Sequence, residues 1–599
     1  MSGRARRVGV MRLVFAGVFA ALALRLVTVQ VLSGSRYAAM GAEEVTSRIP
    51  VPGLRGGIFD RNGGVLAVSV PRSDVVADPF LIHHPAAEAA ALAPVLGMSV
   101  PSVETLVSEH SGYVVLASDV ASTVAKRVTA LVAPGISVIP TTQRIYPAGQ
   151  LGRSVIGTVN WEGQGAAGIE YQYNKLLSGQ SGAKNLEVSP SGIVIPGGPT
   201  GAGGARNGTG LELTIDEPLE YVAREALAAE VRSTHAVNGT AVVMDTQTGA
   251  ILAMVNVATD PTTGQVVDAP SNLASTEVYE PGSVFKIVTF SASLENHIIT
   301  PTTTLTVPPY LMIDGWRFHD AESHGTEQLT ATQIIARSSN IGTIEITERL
   351  GKSRLAAQIN NLGFGKPTGL HFPGASPGIV NNPANWSPSA IGSTPIGQDT
   401  GVTPLQVLDA MNSVANGGVF VPPHLVRATV LPGGSVRRVK SPAAHRVMPA
   451  WVAHELAHML EQVVRTGTGV YAAVPGYTLA GKTGTSQIPS RTQRGYVPGA
   501  YMATFTGFAP AGAPRLSAVV VLDRPDNYYG GSAAAPVFSE IMRYALHRYG
   551  IPGSPDGGTT GGVPRLIPYP PPAPAAVDTR SPRTPGTIVA TTGNVTEGP

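Results

Sequence analysis

The chain has 599 residues and a formal net charge of +2, with only 14% charged residues. That balance leaves no electrostatic footprint for a nucleic-acid partner, and the length allows two to four domains, each with its own core. There is no cysteine, which excludes disulfide frameworks, thiolate metal sites and cysteine nucleophiles.

One His-Glu-x-x-His run occurs, His454 to His458, and no metal site is expected from it. His319 and His324 read as loop or surface histidines, and neither a metal nor a cofactor is expected.

At the N-terminus, Arg4, Arg6, Arg7 and Arg12 surround the start of an apolar run, Leu13 to Leu24, which continues past Arg25 to Leu32. A hydrocarbon core takes about 20 helical residues. Residues 9–32 are thus expected to form a transmembrane anchor, with Arg25 snorkelling or facing a partner helix. No small-x-small site follows the run cleanly, which argues against a cleaved signal peptide. The arginines make residues 1–8 a cytoplasmic stub and put the rest of the chain outside the cell.

Residues 33–208 read as a mixed α/β module. Arg55 to Ala67 has the pattern of a strand, an Asn62-Gly63 turn and a returning strand. Alanine-rich helical patterns follow near 86–95 and 119–131, then Arg144 to Gly149 and Gly168 to Gly179. Nothing here pairs a nucleophile with a base, so the module reads as a spacer or interaction unit. Pro196 to Gly210 is a boundary or exposed loop.

Residues 209–551 form the next expected domain. Leu211 to Asp216 alternates like a strand, Pro218 to Arg232 has helical spacing, and Thr240 to Asp245 with Ile251 to Val255 flank a turn. With late strands at Met502 to Gly507 and Leu516 to Leu522, the pattern predicts an α+β fold, helices packed on an antiparallel sheet. Residues 552–599, rich in Pro, Gly and Thr, read as a disordered extracytoplasmic tail.

Three short motifs in this domain carry chemistry. In Pro281-Gly282-Ser283-Val284-Phe285-Lys286 the first two residues stop the preceding element and a helix starts. Ser283 and Lys286 then share a face, and their side-chain tips are expected to meet. A hydroxyl needs such a base to become a nucleophile, and a helix's first turn stabilises negative charge. The other Ser-x-x-Lys, Ser181 to Lys184, lies in a glycine-rich stretch that reads as loop.

Ser338-Ser339-Asn340 is the only Ser-x-Asn in the chain. At a junction between helices, its hydroxyl can relay a proton and its amide can hold a lysine and a substrate amide. Lys482-Thr483-Gly484-Thr485 has strand character, with a glycine where a ligand backbone can approach. Lys482 there offers a cation for a carboxylate, and Thr483 and Thr485 offer hydroxyls.

Ser-x-x-Lys, Ser-x-Asn and Lys-Thr-Gly in this order resemble the signature of penicillin-recognising serine enzymes. The chain looks like a class B penicillin-binding protein, a peptidoglycan D,D-transpeptidase, and most like the division-specific, septal type. The resemblance runs from the anchor to about residue 548. It includes Arg55-Gly56 through Leu66-Ala67, Gly168 to Tyr171, Gly397 to Gln406, Ala415 to Gly418, Tyr528 to Gly531 and Ala535 to Phe538. Two features depart from the family: Ala375 stands where an acidic residue often follows Pro373-Gly374, and the Pro-rich tail has no counterpart.

The resemblance implies a penicillin-binding, serine β-lactamase-like transpeptidase domain after a dimerisation or pedestal module. It makes Ser283 the nucleophile, Lys286 its base, Ser338 a proton relay and Asn340 an orienting group. Backbone N–H groups of Ser283 and Thr485 would form the oxyanion hole. Lys482, Thr483, Gly484 and Thr485 would bind the terminal carboxylate of a stem peptide, and a β-lactam would acylate Ser283. It also implies peptidoglycan stem peptides on a lipid-linked precursor as substrates, and a SEDS-type glycan polymerase and other division proteins as partners. Elongation- or sporulation-specific transpeptidases, a serine β-lactamase, a β-lactam sensor and a non-catalytic scaffold are the competing readings.

Overall fold

The computed structural model describes residues 2–37, 46–187, 201–490, 492–493 and 495–558. Helix α1 (Ser2–Val27) runs on through a π-helical turn, Thr28–Leu32. From Arg6 to Leu32 it is long and apolar enough to cross a membrane. Leu13, Phe19 and Leu24 are exposed along it, and burying such side chains in an apolar medium yields roughly 1.5–3 kcal/mol each.

In the N-terminal module, β1 (Ile58–Phe59) and β2 (Val65–Ala77) form the expected hairpin. Its turn is held by Asp60 Oδ1, which accepts from Asn62 N at 2.8 Å and Gly64 N at 2.6 Å. β3 (Val114–Val120) and β4 (Ile136–Ile145) both pair with β2. With the helices Pro85–Leu96, Val100–Val107 and Ser122–Ala130 they enclose a separate small core that includes Val75, Leu92, Val103 and Leu116.

The arginine and glutamate of the family-like segments meet in the interior. Arg55 Nε donates to Glu170 Oε2 at 2.6 Å and Arg144 Nε to Glu170 Oε1 at 2.7 Å, with Glu170 fully buried. One carboxylate thus bridges two guanidiniums, and its loss would leave both cations without their charge partner in the interior.

β5 (Gly210–Leu213) begins the segment that the sequence places at the head of the C-terminal domain. It runs parallel to β1 and antiparallel to the strand Val426–Val430. One sheet therefore spans the two halves of the chain. The stretch Ser181 to Lys184 corrects the loop reading: from Gly182 it is strand, and Gly182–Glu187 pairs with Thr46–Val51 and Gly201–Gly203. Its partners come from distant residues, so no local pattern announces them. The same pairing makes part of the expected loop at 196–210 a strand.

The C-terminal domain is built on a six-stranded antiparallel sheet. Its strands are β6 (Asn238–Asp245), β7 (Ile251–Thr259), β8 (Val266–Asp268), β9 (Ala480–Pro489), β10 (Tyr496–Ala509) and β11 (Leu516–Asp523), in the order β8-β7-β6-β11-β10-β9. Alternation feeds two cores: Ala518, Val520 and Leu522 face one, Val519 and Val521 the other. The domain's main helices are α2 (Glu217–Ser233), α3 (Lys286–Glu295), α4 (Ala331–Arg337), α5 (Asn340–Leu350), α6 (Pro404–Ala415), α7 (Ala450–Arg465) and α8 (Ala534–Arg548). α2 and α8 cover the first face and α6 the second. The result is the expected α+β architecture, with β9 left as an edge strand.

The start of the expected tail is packed. Thr478 N donates to Ser554 Oγ at 2.8 Å, Thr478 Oγ1 donates to Asp556 Oδ1 at 2.7 Å, and Arg465 pairs with Asp556. Polar side chains at 554 and 556 find partners on a neighbouring turn, which composition does not reveal. Residues 559–599 lie outside the described residues.

Candidate active site

Ser283 sits on a 3-10 turn, Gly282–Phe285, that leads directly into α3. The turn is wedged between β9 and the loop at Gly397. Gly282 has φ +58°, and a Cβ there would lie 2.7 Å from Thr485 O. A Cβ on Gly484 would meet Pro281 O at 2.8 Å. The two glycines let the edge strand and the turn carrying Ser283 touch backbone to backbone. Gly282 N donates to Gly397 O at 3.1 Å, which ties in the Gly397 to Gln406 segment.

Lys286 is completely buried at the start of α3, while Ser283 is half-buried. The sequence expectation that the tips of Ser283 and Lys286 meet is not realised as a hydrogen bond. Lys286 Nζ instead donates to Ser338 O at 2.5 Å, Ser338 Oγ at 3.2 Å and Asn340 Oδ1 at 2.8 Å. The ammonium has three protons and the second motif offers three acceptors, so the lysine is drawn to that loop.

Ser338 ends α4 in the left-handed conformation, φ +60°. That backbone turns both its carbonyl and its hydroxyl toward Lys286. Asn340 opens α5, and its amide is oriented by His319 O, which accepts from Asn340 Nδ2 at 3.0 Å. Oδ1 is therefore the atom that faces Lys286.

From the other side, Lys482 Nζ donates to Ser338 Oγ at 2.9 Å. One hydroxyl thus stands between two buried lysines. Burial pulls Lys286 down to about 7, partly offset by the negative charge of Asp320. Burial also pulls Lys482 well below its ordinary value, and the charge on Lys286 pushes it further. Complete burial is the leading cause of the depression of Lys286, and the mutual repulsion is expressed on Lys482.

The third motif lines β9. Lys482 Nζ also donates to Thr483 Oγ1 at 3.2 Å, and Thr483 Oγ1 bonds Thr468 Oγ1 at 2.7 Å. Thr485 Oγ1 accepts from Gly530 N at 3.1 Å, which brings the Tyr528 to Gly531 segment to the strand. The backbone N–H groups of Ser283 and Thr485 belong to two elements in direct contact. All eight residues singled out in the sequence converge here, although Ser283 and Asn340 are far from Lys482 in the chain.

Sequence reasoning missed Asp320, His324 and Thr468. Asp320 caps α5, with Oδ1 accepting from Asn340 N at 2.5 Å and Ile341 N at 2.9 Å. His324 lies in a loop, as expected, and its Nε2 is 3.1 Å from Asp320 Oδ2. The contacts of Asp320 with α5 reach 20 and 21 residues along the chain and have no local signature. Thr468 had one in the glycine-flanked run Thr466-Gly467-Thr468-Gly469. A cavity of about 440 Å³ lies elsewhere, at the seam between the module and the domain, and includes none of the motif residues.

A buried lysine pair around a serine hydroxyl, beside a half-buried serine at a helix start, defines a penicillin-recognising serine acyltransferase. Two family descriptions match: "Penicillin binding protein transpeptidase domain" over residues 239–543 and "Penicillin-binding Protein dimerisation domain" over residues 50–200. The chain is 32% identical over 583 residues to penicillin-binding protein PbpB of Mycolicibacterium smegmatis, covering 90% of each chain. It is 32% identical over 522 residues to the peptidoglycan D,D-transpeptidase FtsI of Escherichia coli K12, covering 85% of each. The crystal structure of penicillin-binding protein 3 from Mycobacterium tuberculosis, complexed with aztreonam, superposes with a TM-score of 0.66 at 29% identity, covering 86% of this chain and 100% of that one. The chain belongs to the class B penicillin-binding proteins and is a serine-type peptidoglycan D,D-transpeptidase.

Proposed function

We propose that the chain is a membrane-anchored septal transpeptidase that cross-links stem peptides through an acyl-enzyme on Ser283. The observation that carries the site assignment is the pair of buried lysines meeting on Ser338 Oγ, 3.2 Å from Lys286 Nζ and 2.9 Å from Lys482 Nζ.

In the first step Ser283 Oγ attacks the carbonyl between the two terminal D-alanines of a stem peptide. Lys286, as the neutral amine, takes the serine proton. The N–H groups of Ser283 and Thr485 hold the oxyanion. As the C–N bond breaks, Ser338 passes a proton to the leaving D-alanine nitrogen. In the second step the amine of a neighbouring stem attacks the ester, the C–Oγ bond breaks, and the proton returns to Ser283. Asn340 fixes Lys286 and the substrate amide, while Lys482, Thr483 and Thr485 receive the terminal carboxylate along the β9 edge, with Gly484 leaving room for the backbone. Lys482 needs a proton for that task, which an arriving carboxylate favours.

Helix α1 anchors the protein with its N-terminus in the cytoplasm and the catalytic domain outside. Its exposed apolar surface and the N-terminal module dock a SEDS-type glycan polymerase and other division proteins. A β-lactam occupies the stem-peptide site and acylates Ser283. Fluorescent-penicillin labelling of wild type beside Ser283→Ala tests the site: label is expected on the wild type alone, and label persisting in the variant sinks the assignment. Depletion in the host tests the septal role, with filaments expected and rounded, undivided growth opposing it.

A further inference from the structure

We infer that Glu280 is a positioning residue that holds the turn carrying Ser283 in place against β9. The inference rests on reading Ser283 as the nucleophile and the N–H groups of Ser283 and Thr485 as the oxyanion hole.

Those two N–H groups belong to different elements, so their separation depends on how the turn is joined to the strand. Glu280 stands just before the turn and touches three elements around it. Its carbonyl accepts from Ser486 Oγ of β9 at 2.5 Å, and Ser486 directly follows Thr485. Its Oε1 accepts from Asp399 N at 3.0 Å, within the segment from Gly397 to Gln406. Its Oε2 accepts from Tyr496 OH at 3.0 Å, at the start of β10.

The backbone on either side of Glu280 is tied to one wall only. Tyr279 N donates to Val402 O at 3.0 Å, Val402 N to Tyr279 O at 2.9 Å, and Gly282 N to Gly397 O at 3.1 Å. All three bonds go to the Gly397 to Gln406 segment. The Glu280 side chain reaches from that same segment across to β10, which pairs with β9 and sets Tyr496 opposite Pro489. One carboxyl thus links the loop, the turn and the sheet.

Asp399 is exposed, Glu280 and Tyr496 are half-buried, and none of them belongs to the apolar cores. Losing the clamp therefore disturbs placement more than folding. Burial raises the Glu280 carboxyl to about 7, yet the clamp does not depend on its charge. A protonated carboxyl donates to Tyr496 OH, which can accept as well as donate, and an amide of the same length makes the same two contacts.

The test is stopped-flow acylation by a fluorescent penicillin, followed by release of the label, on the full chain in detergent. Acylation and hydrolysis of the acyl-enzyme both pass through an oxyanion, whereas initial binding does not. Glu280→Ala is expected to slow both rate constants by about tenfold or more, short of the roughly 10²–10³ for removing an oxyanion donor. The noncovalent dissociation constant and the labelled fraction are expected to stay at wild-type values. Glu280→Gln is expected to restore both rate constants. Tyr496→Phe keeps the ring, loses one anchor and is expected to slow the same two steps roughly 2–10-fold; it decides the matter should Glu280→Ala not fold. Wild-type rate constants in Glu280→Ala or in Tyr496→Phe overturn the inference, as does a loss confined to binding. So does a Glu280→Gln variant as slow as Glu280→Ala, which would make charge and not the clamp the cause. Failure of the active-site reading shows separately, as label on Ser283→Ala before Glu280 is altered.

Discussion

Lys286 and Lys482 donate to the same atom, Ser338 Oγ, at 3.2 and 2.9 Å. A hydroxyl has two lone pairs and one proton. If both lysines were ammonium ions, its proton would have to point away from both. With Lys286 as the free amine, Ser338 can donate to it while still accepting from Lys482. The geometry thus accommodates a state in which Lys286 is neutral while Lys482 donates to the same hydroxyl.

This state sets a pH dependence. Lys286 is drawn down to about 7 by burial, so acylation by a β-lactam should climb as pH rises through about 7 and level off above it. The stability effect has a definite sign. A lysine with a folded pKa below its unfolded value binds fewer protons when native. The unfolded chain therefore holds the extra proton between about 7 and the ordinary value of 10.5, and this group's contribution to stability increases with pH across that window. Stopped-flow acylation and thermal melts across pH 6–9 check both; an acylation rate that falls from pH 6 to 8 contradicts the assignment of the base.

Gly282→Ala should cripple the enzyme without unfolding it. The residue has φ +58°, and the new Cβ would lie 2.7 Å from Thr485 O. The turn carrying Ser283 must move away from β9, and a misplacement of about 1 Å costs on the order of a hundredfold in rate. Acylation kinetics with a parallel melting curve measure this, and a variant within twofold of wild type would show that the contact is slack.

Thr468→Val removes the 2.7 Å bond to Thr483 Oγ1 while keeping the shape of the side chain. A net hydrogen bond of about 0.5–1.5 kcal/mol corresponds to roughly 2–10-fold. The loss should appear in β-lactam binding rather than in the limiting acylation rate, because Thr483 lies on the carboxylate side of the site. A variant altered only in the limiting rate would place Thr468 with the base instead.

The hairpin at Asn62-Gly63, the edge strand with Lys482-Thr483-Gly484 and the helix after Ser283 were all legible, because each rests on neighbours within a few residues. The sequence reading stopped where partners are remote. Ser181 to Lys184 reads as loop because the strand that begins at Gly182 pairs with the distant Thr46–Val51, and Asp556 reads as tail because Thr478 and Arg465, which hold it, are remote.

By itself the amino-acid sequence singled out the side chains proposed to carry the chemistry, since a hydroxyl, an amine, an amide and a cation are properties of residue type and short spacing. Tertiary structure alone decided how they work together. Folding puts Lys286 where water cannot reach it, so that its proton is weakly held. It turns that lysine from Ser283 toward Ser338 and Asn340, and it sets Asp320 with His324 at the head of α5. Burial and charge proximity depend on what arrives from distant parts of the chain, and no local pattern encodes them.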